Sequence, residues 1–362
     1  MLRGKYHSRL QFNYVRAYRG LLRLLIRPLV RWKPIADPKP GYTLAIACHD
    51  RLPEILVPNL ELVCKQDLDN LHSTVVSFDG PRTPQLADTA AHLERRFPQL
   101  RLRILYLGPL QAFVVRLIRW GWVNCWLSYC KCIAAADTRI VILHDMDAML
   151  LDRKLIERRF QAIVGRGDHF VGVRWYAYSG LTEDDRLLYI VEMALDAAFM
   201  RQKFRPIDLF NHVCMVNGKA LDLDTMLYPQ LLTERKSVMP LTEREWIHPS
   251  QVISQYTYLV RDGNGHVPPA ENNLFFIPYF LHLAGNDGIL ARHTTALMQA
   301  DRARVPFLGY EVDLRRLTDV HQRWVRKQME HIEKAIAGGT RTEVEDYLRA
   351  IERHLRPASS GA

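Results

Sequence analysis

The 362-residue chain reads as an α/β protein built on a mostly parallel sheet with helices on both faces. Three observations carry that expectation. TLAIAC (Thr43 to Cys48), STVVSF (Ser73 to Phe78), LRILYL (Leu102 to Leu107) and RIVIL (Arg139 to Leu143) are short, nearly continuous apolar runs, the pattern of strands buried on both faces. Stretches of helical period separate them, as parallel strands joined by helical crossovers require. Polar residues follow three of the runs directly: His49, Asp50 and Arg51; Asp79, Gly80 and Pro81; His144, Asp145, Met146 and Asp147. In such sheets ligands bind at the carboxyl ends of the strands.

The amino-terminal segment is set apart by its charge. Lys and Arg number 49 against 39 Asp and Glu, a net of +10. Residues 1–40 hold ten of the cations and one acid, Asp37, so the remaining 322 residues carry a net of only +1. Phosphate neutralisation supplies most non-specific affinity for nucleic acid, so a body this neutral is expected to bind none. From Leu10 to Trp32, Arg16, Arg19, Arg23, Arg27 and Arg31 recur at intervals of three or four and line one helical face, with Val15, Leu21, Leu22, Leu25 and Leu29 mainly on others. Such a basic amphipathic helix is too often interrupted by charge to span a bilayer. Through residues 10–33 it suits an anionic membrane surface, guanidinium groups on headgroups and leucines in the acyl boundary. An organelle-targeting segment and an ordinary helix packed on the main domain are the competing readings.

Pro34, Pro38, Pro40 and Gly41 read as a linker, giving a basic segment over 1–40, a catalytic body over 41–300 and a helical region over 301–362. Between the third and fourth runs lies a long apolar helix candidate from about Gln111 to Ala136. FVGVRW (Phe170 to Trp175) and FFIPYFLHLAG (Phe275 to Gly285) read as further strands, and the tail from Val312 to His354 as helical with a break at Gly338 and Gly339. With 48% apolar and 24% charged residues, disordered and fibrous classes are excluded. The six cysteines show no zinc-site spacing and read as buried reduced thiols, which places the protein in the cytoplasm; with the basic segment, the expected place is peripheral to the inner face of the membrane.

Asp145 and Asp147 form an Asp-x-Asp pair. Asp67 with Asp69 and Asp222 with Asp224 repeat the pattern, but only the first pair follows a buried strand directly. There two carboxylates can converge on a hard cation, Mn²⁺ or Mg²⁺, that bridges a diphosphate and neutralises the leaving phosphate. Helix capping or a solvated loop is the structural alternative for this pair. Asp79 before Gly80 also reads as a turn, and Asp50 before LPEIL as a helix N-cap.

Taken in order, TLAIACHDR, ILVPNLELVCKQDLDNLHSTVVSFDGP and TRIVILHDMDAML resemble the nucleotide-binding half of a GT-A fold glycosyltransferase, closest in rhythm to the family 2-like members, over roughly residues 42–285. That family opens with a strand ending in a short polar motif. A helix then leads to a Gln-containing turn, here Lys65, Gln66 and Asp67, and to a second strand whose terminal acid reads the nucleoside, the position of Asp79. The resemblance implies a Rossmann-like GT-A sheet, with Asp50 and Asp79 on the nucleoside of a sugar nucleotide and Asp145 and Asp147 on the metal and the ribose or phosphate. It also implies a histidine ligand after a last apolar segment, which PYFLHLAG supplies as His282; without the resemblance, that histidine reads as a core residue. His144 reads as a positioning or structural neighbour.

Inverting members carry an acidic pair at the start of a helix beyond the acceptor segment, to deprotonate the acceptor hydroxyl. Here His248, Pro249, Ser250 and Gln251 stand in that place, with Glu243 and Glu245 upstream. Glu245 or His248 as base implies inversion; Gln251 near the reacting face implies retention; Pro249 as a plain helix start leaves the motif structural. NHVCMVNGKAL (Asn211 to Leu221) resembles the acceptor-side stretch, and its Asn217-Gly218 turn reads equally as a hairpin. Trp175, Tyr176 and Tyr178 offer ring faces for sugars or for packing.

The resulting expectation is a metal-dependent glycosyltransferase of hexosyltransferase type. It would move a sugar from a nucleotide-diphosphate sugar, a UDP-sugar first, to a glycan or lipid-linked acceptor in cell-surface polysaccharide biosynthesis. One rival is a nucleotidyltransferase on a similar sheet, against which the absence of glycines around His49-Asp50-Arg51 counts. The other is a catalytically inactive, membrane-associated interaction protein of the same fold, favoured by the missing acidic pair near Pro249.

Overall fold

A computed structural model of the chain describes residues 6, 8–175, 186–216, 219–249, 252–262, 264–265, 273–300, 304–313 and 319–355. Contacts divide the chain into two compact units, the first of residues 1–53, 66–146 and 153–241 and the second of residues 54–65, 147–152 and 242–362.

In chain order the elements are α1 (Arg9–Ile26), β1 (Lys39–Cys48), α2 (Leu56–Cys64), β2 (Leu71–Pro81), α3 (Pro84–Arg96), β3 (Leu102–Leu107), α4 (Pro109–Ile118), α5 (Gly121–Ala135) and β4 (Thr138–Asp145). There follow β5 (Met149–Leu150), α6 (Leu155–Arg166), β6 (Phe170–Gly172), β7 (Met193–Asp196), α7 (Ala197–Lys203), β8 (His212–Val216), β9 (Lys219–Leu223), α8 (Leu227–Leu231) and β10 (Lys236–Val238). The remainder comprises β11 (Trp246–Ile247), α9 (Val252–Asp262), β12 (Asn264–Gly265), α10 (Phe276–Leu283), α11 (Ile289–Gln299), β13 (Arg304–Phe307), β14 (Tyr310–Asp313), α12 (Asp319–Ala337) and α13 (Thr342–Leu355).

The first unit holds a seven-stranded sheet in the order β10-β6-β7-β4-β1-β2-β3. Its β1, β2, β3 and β4 are mutually parallel, and β7 runs against both of its neighbours. Side chains alternate across the pleat. Ala45, Val75, Val141 and Leu143 join Trp126, Cys130 and Ile133 of α5 in one apolar cluster. On the other face Tyr42 meets Phe160 of α6, with ring centroids 5.3 Å apart. Helices therefore cover both faces, as the apolar runs predict.

Several boundaries differ from expectation, each for a local reason. Strand β1 begins at Lys39, so Pro40 and Gly41 lie inside it rather than in a linker. Gly41 has φ +85°, and a Cβ there would stand 2.2 Å from the Asn70 carbonyl oxygen, at a point where the register with β2 slips. The long helix candidate is two helices, α4 and α5, separated where Arg119 turns left-handed at φ +52° and its N–H closes α4 on the Val115 carbonyl.

FFIPYFLHLAG is not a strand; residues 276–283 form α10, with Phe276, Ile277, Tyr279 and Phe280 all buried. A short apolar run has no period that separates a buried strand from a buried helix. In the second unit Tyr347 Oη donates to the Phe275 carbonyl at 3.1 Å. Val312 lies in the β13–β14 hairpin and not in the helical tail, and α12 stops before Gly338, at φ +78°.

Within the first unit α1 starts on the Ser8 cap, whose hydroxyl accepts the Gln11 N–H at 3.1 Å. Phe12, Leu22 and Ile26 are buried. Two of its arginines face the same way, contrary to a solvent-facing basic stripe. Arg19 stacks its guanidinium 3.8 Å above the Trp120 ring, and Arg23 donates to the Phe210 carbonyl at 3.0 Å. Among the described residues no helix is long and apolar enough to cross a membrane.

Candidate functional site

At the carboxyl end of the sheet in the first unit, the polar residues after β1 and the end of β2 are tied together. The Asp50 N–H donates to Asp79 Oδ1 at 2.8 Å, and Asn124 Nδ2, on α5, donates to Asp79 Oδ2 at 3.2 Å. The His49 N–H reaches Met146 Sδ at 3.2 Å, which links the ends of β1 and β4. His49 Nδ1 accepts the Arg51 N–H at 3.1 Å, so the neutral ring carries its proton on Nε2. One ligand atom from each of His49, Asp50 and Asp79 falls within 4.8 Å of the others.

The Asp50 carboxyl explains the glycine after Asp79. A Cβ on Gly80 would stand 2.2 Å from Asp50 Oδ2 and 2.6 Å from its Cβ, closer than van der Waals contact allows. Gly80 is thus not a turn residue, because it lies within β2; it leaves room for Asp50. Burial, then the negative charge of Asp79, push the Asp50 carboxyl above its ordinary value.

Asp145 ends β4, and its Oδ1 accepts a hydrogen bond from the Tyr129 hydroxyl of α5. Burial and then Asp145 hold the Tyr129 phenol well above its usual value, so it remains a donor. His144, the preceding residue, is fully buried with its Nδ1 against Glu192 Oε1, also fully buried. Glu192 takes φ +52°, a conformation a non-glycine residue adopts at a cost. Cys125 of α5 lies in the field of Asp145, Asp224 and Asp79, which add to its burial in keeping it a thiol. Asp224 accepts from Trp122 Nε1 at 2.8 Å, Asn211 Nδ2 at 3.1 Å and the Thr225 N–H at 2.7 Å. Burial nevertheless raises its carboxyl.

In the second unit β5 pairs antiparallel with β11, Met149 with Ile247 and Leu150 with Trp246. The Leu151 and Asp152 N–H groups both donate to the Glu245 carbonyl, at 2.8 and 3.0 Å. This two-stranded ribbon brings His248 Nε2 to 3.4 Å from Asp147 Oδ1, with both side chains under one-tenth exposed. The Trp246 ring lies parallel to the imidazole, 5.4 Å away. A carboxylate and a neutral imidazole suit Mn²⁺ better than Mg²⁺, which favours oxygen alone. Asp145 stands two residues before Asp147 along the chain.

The other candidates are placed differently. His282 sits on α10, where burial and then Arg341 lower its pKa and Glu343, Glu333 and Asp287 act on it; these groups belong to the carboxy-terminal helices and the loop after α10. The imidazole beside Asp147 is that of His248 instead. Glu245 Oε2 accepts both the N–H and the hydroxyl of Thr242 at 2.9 Å, which closes a turn. Glu243 pairs with Lys327, which lowers its carboxyl pKa. Gln251, Ser250, Tyr176, Tyr178, Asn217 and Gly218 lie outside the described residues, while β8 and β9 pair antiparallel, from His212 with Leu223 to Val216 with Lys219.

Tyr129, Asn124 and Glu192, which contact Asp145, Asp79 and His144, are residues that the sequence did not single out. The first two are polar residues within the apolar run of α5, and that isolation was the available signal.

No family model matches the sequence, and no curated protein matches it. Among solved structures the chain is similar to the mannosyltransferase PcManGT from Pyrobaculum calidifontis in complex with GDP-Man and Mn²⁺, at 13% identity and TM-score 0.38, covering 95% of this chain and 94% of that one. It is similar to the galactosyltransferase LgtC in complex with donor and acceptor sugar analogs at 13% identity and TM-score 0.31, covering 45% of this chain and 60% of that one. S. aureus TarS 1-349 in complex with UDP-GlcNAc matches at 10% identity and TM-score 0.36, covering 87% and 91%. The first two are named as glycosyltransferases, the kind of enzyme the sequence resembles.

Proposed function

We propose that the protein is a metal-dependent glycosyltransferase acting on a nucleotide-diphosphate sugar. The observation that carries this is the sheet order. From β1 the chain goes to β2 and β3 on one side and then returns to β4 on the other, so a topological switch point falls between β1 and β4. Ligand crevices open at such points, beyond the carboxyl ends of the strands. Asp50 follows β1, Asp145 ends β4 and Asp79 lies at the end of β2.

In this reading Asp50 and Asp79 take the nucleoside. Asp145 and Asp147, two residues apart in the chain, take the cation, and His248, beside Asp147 in the second unit, stands in the place first given to His282. Bound there, Mn²⁺ would neutralise the diphosphate as the sugar departs. Tyr129 and Asn124 hold Asp145 and Asp79 in place. The groups of the proposed reaction lie within residues 41–300. The donor is a UDP-sugar first, and the acceptor a glycan or lipid-linked sugar of the cell surface. The protein works at the cytoplasmic face of an anionic membrane.

Calorimetry with UDP- and GDP-sugars, with and without Mn²⁺, tests the proposal. Binding should require the metal and disappear in Asp147→Ala. If no nucleotide sugar binds in a metal-dependent way and the variant behaves as wild type, the proposal fails. Binding of a nucleoside triphosphate with pyrophosphate release would move the protein to the nucleotidyltransferases.

A further inference from the structure

Helix α1 turns its apolar side outward. Leu10, Tyr14, Tyr18, Leu21, Leu24 and Leu25 are between 55% and 81% exposed, and their spacing sets them on one stripe of the helix. Helix α4 of the same unit does likewise with Leu110, Phe113 and Leu117, at 60–71% exposed. The segment just after α1 is tied to α4, where Gln111 Nε2 donates to the Leu29 carbonyl at 2.7 Å, and the inner residues Leu22 and Ile26 of α1 and Val114 and Val115 of α4 pack into the same core cluster.

The charge carried by these two helices is of one sign. Residues 1–36 and 95–136 contain no Asp or Glu, so neither helix carries an acid. Arg9, Arg16, Arg27, Arg31, Arg116 and Arg119 are all exposed. Leu24 also lines an open cavity of about 720 Å³ whose lining includes Arg27, Arg31, Arg201, Lys203 and Arg205 and no acidic side chain. The apolar stripe therefore runs into a cationic basin.

We infer that α1 and α4 form one docking face for an anionic lipid bilayer. Leucines, Phe113 and Leu117 enter the acyl boundary, Tyr14 and Tyr18 lie at headgroup level, and the rimming arginines and the basin meet lipid phosphates. This rests on the membrane-associated reading above and reverses its geometry, because Arg19 and Arg23 are spent on Trp120 and Phe210 inside the protein. A second copy of the chain is disfavoured as occupant, since the two cationic rims would face each other.

The test uses the full chain with vesicles of phosphatidylcholine, with and without phosphatidylglycerol. The wild type should bind only the anionic vesicles. Leu21→Glu/Leu25→Glu and Phe113→Glu/Leu117→Glu should each weaken that binding roughly tenfold or more, since each places two charges where apolar burial is required. Val164→Glu, on α6 over the opposite face of the sheet, should bind as wild type. All are exposed positions, and unchanged circular dichroism and Mn²⁺-dependent nucleotide binding identify a folded variant. Wild-type binding by Phe113→Glu/Leu117→Glu overturns the two-helix face while leaving the membrane reading intact. No binding by the wild type overturns both. A dimer that these substitutions dissociate, without vesicle binding, assigns the face to a second copy and overturns the inference.

Discussion

The acids at the strand ends of the first unit and the acids of the helices α12 and α13 in the second are handled in opposite ways. In the helices Glu330, Glu333, Glu345 and Glu352 each have an arginine. Arg326 donates to Glu330 at 3.1 Å, to Glu345 at 2.8 Å and to Glu352 at 3.0 Å. Arg341 grips Glu333 at 2.7 and 2.9 Å, and Tyr279 adds a bond at 3.0 Å. The Arg326 hydrogen bond holds Glu345 below the usual carboxylate range. Burial opposes ionisation of Glu333, yet Arg341 outweighs it and the net shift is downward. At the strand ends Asp50 has Asp79 for a neighbour and is pushed up, and burial raises Asp224 despite three donors. Paired charge holds the fold, while raised carboxyls at strand ends mark a candidate site.

The largest expected effect separates the two groups outright. Asp145→Asn and Asp147→Asn, which keep an acceptor oxygen for Tyr129 and His248, should each weaken Mn²⁺-dependent nucleotide-sugar binding on the order of a hundredfold or more, at or beyond the upper end of what outer-shell residues contribute, with a smaller change in melting temperature than Arg341→Ala. Calorimetry and thermal denaturation on the same samples read both.

Arg341→Ala should do the reverse. It strands Glu333, whose side chain is fully buried, and should cost about 3 kcal/mol in urea unfolding. Nucleotide binding below the transition should stay as in wild type.

Acid distinguishes the two groups by sign. Glu333 and Glu345 have lowered folded values, so their stabilisation is present above the unfolded carboxylate value and is lost as pH falls through the folded one. Asp50 is raised, so its ionisation opposes folding as pH climbs from the unfolded value through the folded one. Urea midpoints followed downward from neutrality should therefore fall for wild type below about pH 4, and fall less in Glu345→Gln. An unchanged acid limb in that variant would break the comparison. The smallest effect belongs to Asp50→Asn, which should raise stability at neutral pH by about 1 kcal/mol, with the gain disappearing below the unfolded value, while weakening nucleotide binding.

Much of the sheet was legible because its signals are local. TLAIAC, STVVSF, LRILYL and RIVIL each became a strand of the sheet, since a continuous apolar run bounded by polar residues has few other homes. The acids after them were legible for the same reason. PYFLHLAG was misread because eight residues, only the first three of them buried, offer too little period to distinguish helix from strand, and His282 moved with it. The outward stripe of α1 was hidden for another reason: arginine spacing shows which residues share a face, not which face meets the protein. Arg19 packs inward only because Trp120, a hundred residues away in the chain, presents its ring.

By itself the sequence determined the α/β rhythm, the strand-end placement of Asp50, Asp79, Asp145 and Asp147, and the confinement of excess charge to the first 40 residues. These depend on side-chain type and short-range spacing. Tertiary structure alone decided that His248 rather than His282 stands beside Asp147, that Gly80 leaves space for Asp50, and that leucines rather than Arg19 and Arg23 face outward from α1. Each of those outcomes is a contact between segments far apart in the chain. Such contacts are set by which surfaces pack together, a choice made by the whole core.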